Sequence, residues 1–65
     1  MITVNGQQEN LAGDISVFAY LVQKNYPTTR IAVEKNGNIV PKSRYESTMI
    51  TDGDKLEIVT FVGGG

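Results

Sequence analysis

The sequence predicts a small α+β fold, a sheet of four to five strands packed on one main helix. Three observations carry this. Two Asn-Gly pairs, at 5–6 and 36–37, each sit between short alternating apolar segments. A single segment with helical spacing lies between Ser16 and Pro27, and a long alternating run closes the chain at Leu56–Val62. Asn-Gly suits the two positive-φ positions of a tight hairpin turn, so each pair predicts two adjacent antiparallel strands.

The elements follow in order. Ile2 and Val4 alternate with Thr3 and Asn5, a strand with one buried face. After Asn5-Gly6 the chain returns as a weakly patterned strand over Gln7–Leu11, broken by Gly13 and Asp14. Ser16 is a good N-cap with Ile15 before it as half of a hydrophobic staple, and a helix is expected from Val17 to about Asn25. Pro27 closes it, because the residue before a proline disfavours the helical region. The inward face is open at this stage: Val17 and Leu21 lie on one side, with either Phe18 or Tyr20 beside them. Lys24 falls where a helix centred on Val17, Tyr20 and Leu21 wants an apolar residue, and its stem can cover that edge.

Ile31–Glu34 reads as a third strand and Ile39–Val40 as a short return ended by Pro41, which lacks a backbone donor. Lys42–Thr51 is expected to be irregular, with one helical turn around Ser43–Glu46. Asp52-Gly53-Asp54 turns the chain into a last strand, Lys55–Val62. The reading is one domain over residues 1–62 and a glycine tail over 63–65.

Composition excludes several classes of function. Cysteine and histidine are both absent from the 65 residues, which removes disulfides, thiolate nucleophiles, sulfur-ligated metals and imidazole catalysis. Six basic residues are scattered against seven acidic ones, so no basic run marks a nucleic-acid surface. The opening Met-Ile-Thr-Val-Asn-Gly lacks a secretory pattern and no apolar stretch is long enough to span a bilayer, so a cytoplasmic protein without membrane contact is expected. Asn36–Ser43 ends in Lys-Ser like a phosphate-binding loop, but Asn36 and Pro41 occupy positions that need glycine. Asp52-Gly53-Asp54 opens like a calcium loop, yet Leu56 stands where a third oxygen ligand belongs. Tyr20, Tyr26 and Tyr45 read as packing residues with a polar tip at the surface.

The chemistry is expected at the C-terminus. Gly63-Gly64-Gly65 follow the last strand directly, and three glycines hold regular structure poorly. A lead without side chains can thread a narrow active site on another protein and present the Gly65 carboxylate there. A carboxylate is a poor acyl donor, so transfer from it begins with activation, most simply as a mixed anhydride with AMP. On composition alone, a frayed tail and a carrier tail are equally good readings. If Leu56 and Ile58 face the core, then Val59 and Phe61 face outward beside the tail, and with Val62 form a candidate docking surface.

Val4-Asn5-Gly6, the run Asn36–Tyr45, Asp52-Gly53-Asp54 and the run Leu56–Gly65 together resemble the ThiS family, ubiquitin-like β-grasp sulfur carriers of thiazole biosynthesis. The pieces keep the family's order and spacing over nearly the whole chain. Lys24, and Tyr20 where Leu is common, depart from it, as does a helix without the glutamates of many members. The resemblance implies a protein co-substrate rather than an enzyme. An adenylating, ThiF-like enzyme uses ATP and Mg to adenylate Gly65. Sulfur that a cysteine desulfurase takes from cysteine replaces AMP, and the resulting thiocarboxylate serves a ThiG-like thiazole synthase in thiamine biosynthesis. Gly64 and Gly65 match the family's terminal Gly-Gly, and Gly63 the glycine often found before it. The chain itself is expected to bind no cofactor or metal. Two alternatives are a carrier for another pathway (molybdopterin, cysteine or another sulfur metabolite) and a ubiquitin-like binding module whose tail is never activated. The tight Asn5-Gly6 turn favours ThiS over the molybdopterin carrier, which has an aromatic-rich segment there.

Overall fold

The computed structural model describes residues 1–61; the expected roles of Val62, Gly63, Gly64 and Gly65, and the boundary between domain and tail, lie outside them. Seven strands and one helix follow in the order β1 (Ile2–Val4), β2 (Gln7–Glu9), β3 (Ile15–Ser16), α1 (Val17–Gln23), β4 (Ile31–Lys35), β5 (Asn38–Val40), β6 (Met49–Ile50) and β7 (Lys55–Thr60). Five of them form a mixed sheet in the order β2-β1-β7-β4-β5, so the last strand lies at its centre. β7 runs parallel to β1 and antiparallel to β4.

Both Asn-Gly pairs make the expected turns. Asn5 and Gly6 have φ of 50° and 82°, and Asn36 and Gly37 have φ of 53° and 85°. Asn tolerates the first position because its short amide finds local partners, and Gly takes the second without a Cβ clash. β2 stops at Glu9, short of the expected Leu11, because its partner strand begins at Ile2. Beyond that point the Met1 carbonyl already accepts from the Gly53 amide, so Asn10 and Leu11 have no ladder to join.

The helix starts where expected and ends sooner. The Ser16 hydroxyl accepts from the Ala19 amide at 3.0 Å. At the other end Asn25, not Pro27, sets the stop, with φ of 62°. Its amide bonds the Val22 carbonyl and the Tyr26 amide bonds Leu21, the double closure of a Schellman motif. The open question of the inward face resolves to Val17, Tyr20 and Leu21, while Phe18 is half-exposed. Lys24 lies 5.8 Å above the Tyr20 ring and 3.5 Å from the Glu9 carboxylate, so its stem covers the helix edge.

The stretch read as irregular contains more order than expected. Lys42–Arg44 forms a short 3-10 turn, one residue earlier than anticipated, and Met49–Ile50 pairs with Ile15–Ser16. This small ribbon brings the Tyr45 and Thr48 carbonyls to the start of α1, where they accept from the Phe18 and Val17 amides at 2.9 and 2.8 Å. Those donors have no partner within a helix. The pairing is therefore a cap supplied from about thirty residues away, which local periodicity does not reveal.

The core holds Ile2, Val4, Val17, Leu21, Ile31, Val33, Val40, Ile50, Leu56 and Ile58, together with Tyr20 and Tyr45. Each fully buried aliphatic side chain contributes about 1.5–3 kcal/mol of transfer free energy, which is why so small a domain holds together. The two core tyrosines do not keep a tip at the surface, since each is only 3% exposed. The Tyr20 hydroxyl instead donates to Glu9 at 2.7 Å, and the Tyr45 hydroxyl points at the Ile31 carbonyl, 3.5 Å away. Burial, then the bond to Glu9, holds the Tyr20 phenol far above its usual pKa; burial raises Tyr45 as well. Among the described residues no helix is long and apolar enough to cross a membrane, and no group of His, Cys, Asp or Glu could hold a metal ion.

Asp54 ties the turn before β7 together. Its carboxylate accepts from the Thr51 amide at 2.9 Å and the Asn36 carboxamide at 2.9 Å, and lies 3.8 Å from the Lys35 ammonium. Burial on its own would raise the pKa of this carboxyl, but these three partners outweigh it and hold it below the usual range. The unfolded chain therefore binds the proton more readily, and stability falls with pH. The contribution is complete above the ordinary carboxylate pKa and is lost as pH drops below about 4. Urea unfolding at pH 7 and at stepwise lower pH checks this: Asp54→Asn should flatten the acid limb while losing stability at neutral pH.

Candidate docking face and tail base

The strand that leads to the tail is held from both sides. After β1 ends at Val4, the Asn5 side chain takes over its place beside β7. The Asn5 carboxamide donates to the Ile58 carbonyl at 3.1 Å and accepts from the Ile58 amide at 2.7 Å. It acts as one more peptide unit of the β1 ladder. On the β4 side Asn36 does the same at the other end of the strand: its backbone amide bonds the Lys55 carbonyl at 2.7 Å and its side chain accepts from the Lys55 amide at 2.9 Å. The last described residue, Phe61, still donates its amide to the Arg30 carbonyl at 2.9 Å. The peptide leading into the tail is thus fixed by the sheet up to residue 61.

With Leu56 and Ile58 buried at 1% and 6%, alternation turns Lys55, Glu57, Val59 and Phe61 to the opposite face of the sheet. Val59 and Phe61 are 55% and 58% exposed, as the sequence pattern requires of an outward pair. Ile39 of β5, 75% exposed, joins the same face. It stands opposite Glu34, which in turn stands opposite Glu57 across β4 and β7. The outer face therefore presents an apolar row at the tail base and two like charges in register beside it. Like charges directly opposite each other disfavour the sheet rather than hold it.

The outward residues are legible in the sequence; the clamp is not. Asn5 and Asn36 were legible as turn formers, and nothing in their spacing marked their amides as partners of a strand 53 and 19 residues away. The only available hint is that both turns use Asn rather than Gly at the first position.

Glycine at position 5 separates the two roles of Asn5, since it adopts the positive φ freely but carries no amide. Asn5→Gly should cost about 1–3 kcal/mol in urea unfolding, because the Ile58 amide and carbonyl lose their partners. Faster amide exchange at Ile58, with little change at Val33, would locate the loss on β7. Phe61→Ala should leave the melting temperature within a few degrees of the parent; a large drop would place the ring in the core.

The ThiS family model matches residues 2–65. The chain is 35% identical over 66 residues to the sulfur carrier protein ThiS of Bacillus subtilis, with 100% of each chain covered. It is 44% identical over 64 residues to a protein of Paramagnetospirillum magneticum named thiazole synthase, covering 98% of this chain but 20% of that one. The chain thus spans about a fifth of the length of that relative. The crystal structure of the thiamine biosynthesis protein ThiS from Geobacter metallireducens superposes with a TM-score of 0.83 at 30% identity, covering 98% of this chain and 97% of that one. A five-stranded mixed sheet with its last strand at the centre, a single helix across it and these matches over almost every residue lead to one conclusion: the chain belongs to the ThiS family.

Proposed function

We propose that the chain is a sulfur carrier whose reactive group is the carboxylate of Gly65, serving thiazole formation in thiamine biosynthesis. The observation that carries the proposal is the placement of Val59 and Phe61, exposed and outward on a central strand that runs into the glycine tail. Membership of the ThiS family gives that placement its chemical meaning.

In this reading the outer face docks on a ThiF-like enzyme and Gly63 and Gly64 thread its narrow channel. There the Gly65 carboxylate oxygen attacks the α-phosphorus of ATP, held with Mg by the enzyme, and pyrophosphate leaves. The terminal sulfur of a desulfurase-derived persulfide attacks the acyl carbon and AMP leaves. A thiol then cleaves the resulting acyl disulfide, releasing the thiocarboxylate and leaving a disulfide on the donor. A ThiG-like thiazole synthase then takes the sulfur. The similarity to a segment within a longer protein named thiazole synthase supports that enzyme as the recipient. The domain contributes no catalytic side chain: it offers a rigid strand, an apolar docking row and a tail without side chains. Removing Gly65 retracts the acyl carbon by one residue, more than 3 Å for extended chain, which is far beyond the tolerance of a positioned reaction.

Intact mass after incubation with ATP, Mg, a sulfide source and a ThiF-like enzyme tests the proposal. The expected result is exchange of one oxygen for sulfur, located at Gly65 by fragmentation. Deletion of Gly65 should abolish the exchange without altering the thermal unfolding curve. An unchanged mass for the intact chain, or equal exchange in the deleted one, would overturn it.

A further inference from the structure

The free edge of β5 carries a feature that the tail chemistry does not use. β5 ends the five-stranded sheet, and its central residue, Ile39, faces Glu34 of β4. Two bonds set the phase of the β4–β7 ladder: Phe61 N–H to the Arg30 carbonyl and Asn36 N–H to the Lys55 carbonyl. In an antiparallel pair bonded positions alternate, so even-numbered β4 residues, Glu34 included, direct their backbone groups at β7. The Glu34–Ile39 pair is therefore the non-bonded kind, and the amide and carbonyl of Ile39 point away from β4 into a groove.

That groove has a volume of about 430 Å³ and lies between β5 and the segment from Pro41 to Thr48, with Lys35, Asn38 and Arg44 in its walls. No carboxylate lines it. Lys35 is engaged by the Met49 carbonyl at 3.0 Å and by Asp54 at 3.8 Å. Arg44 is exposed, and its guanidinium makes no ion pair or hydrogen bond with the other described residues. Among the described residues, an unpaired donor, an unpaired acceptor, a 75% exposed isoleucine and an unpaired cation thus share one short edge. Sheet edges with exposed apolar residues invite strand addition, and here Pro41 limits the docking length by ending the strand.

We propose that the β5 edge receives an extended acidic segment of a partner protein by strand addition. One residue of the incoming strand exchanges two backbone hydrogen bonds with Ile39, and a carboxylate on that strand meets the Arg44 guanidinium, a planar donor suited to bidentate carboxylate binding. The positive lining selects acidic over basic segments. β4 separates this edge from β7, so the incoming strand lies away from the tail, while the Ile39 side chain itself belongs to the outer face.

The probe is a short synthetic peptide of alternating valine and threonine ending in two aspartates, titrated into the ¹⁵N-labelled full chain, with a lysine-ended peptide as control. The acidic peptide should shift the Ile39, Val40 and Thr48 amides and slow exchange at Ile39, and the lysine peptide should bind more weakly. Ile39→Pro removes the outward donor without removing a β4–β5 bond. It should lose these shifts at Val40 and Thr48 while circular dichroism stays unchanged, whereas Ile39→Ala should retain them. Arg44→Glu should weaken binding by roughly fivefold and leave the fold intact, which keeps the test decisive even if the proline variant unfolds. Shifts centred on Val59 and Phe61, equal binding of the lysine peptide, undiminished binding by folded Ile39→Pro, or no shift at millimolar peptide would each overturn the proposal.

Discussion

The structure depends on how β7 is held. It is the last strand in the chain and the middle strand of the sheet, and its neighbours are too short to pair with all of it. β1 covers only its first part, where Thr3 and Val4 stand beside Lys55 and Leu56. The deficit is met by two side chains, the Asn5 and Asn36 carboxamides, which continue the ladder where backbone is missing. A carboxamide suits this task because its carbonyl oxygen accepts and its planar NH2 donates, as a peptide group's oxygen and N–H do. Each asparagine also turns its own hairpin, so the residues that reverse the chain also secure its end.

This arrangement explains how so small a domain can present a defined surface next to a tail without side chains. A domain of this size buries a modest fraction of its chain and has little free energy to spare. The central position gives β7 two partners and a buried face through Leu56 and Ile58, while its other face stays open. Val59 and Phe61 are exposed because the pleat leaves them no other direction, and the backbone on either side of Val59 is bonded through Ile58 to Asn5 and through Phe61 to Arg30. A base held in the sheet up to residue 61 suits the tail-first delivery proposed above.

The same economy appears at the helix. α1 has only seven residues, too few to stand alone in water. Ser16 satisfies one N-terminal amide locally, the carbonyls of Tyr45 and Thr48 satisfy two more, and Asn25 closes the other end. The β3–β6 pair is what brings those carbonyls into place, and Ile50, fully buried beneath it, anchors the loop. Lys24 and Tyr20, which depart from the family pattern, join this scheme as well, since Lys24 and Glu9 bracket the Tyr20 ring and its hydroxyl.

What the sequence determined by itself is whatever depends on neighbours in the chain. The Asn-Gly turns, the N-cap at Ser16, the outward phase of Val59 and Phe61 and the stop at Pro41 follow from local conformational preference and from the two-residue period of a strand. The tertiary structure alone decided what depends on distant groups. It chose Tyr20 over Phe18 for the core because Glu9 stood ready to accept the phenol. It made a ribbon of Met49–Ile50 because Ile15–Ser16 lay beside it, and it turned two hairpin amides into a clamp. Hydrogen-bond partners far apart in the chain leave no periodicity to read, so only the fold could pair them.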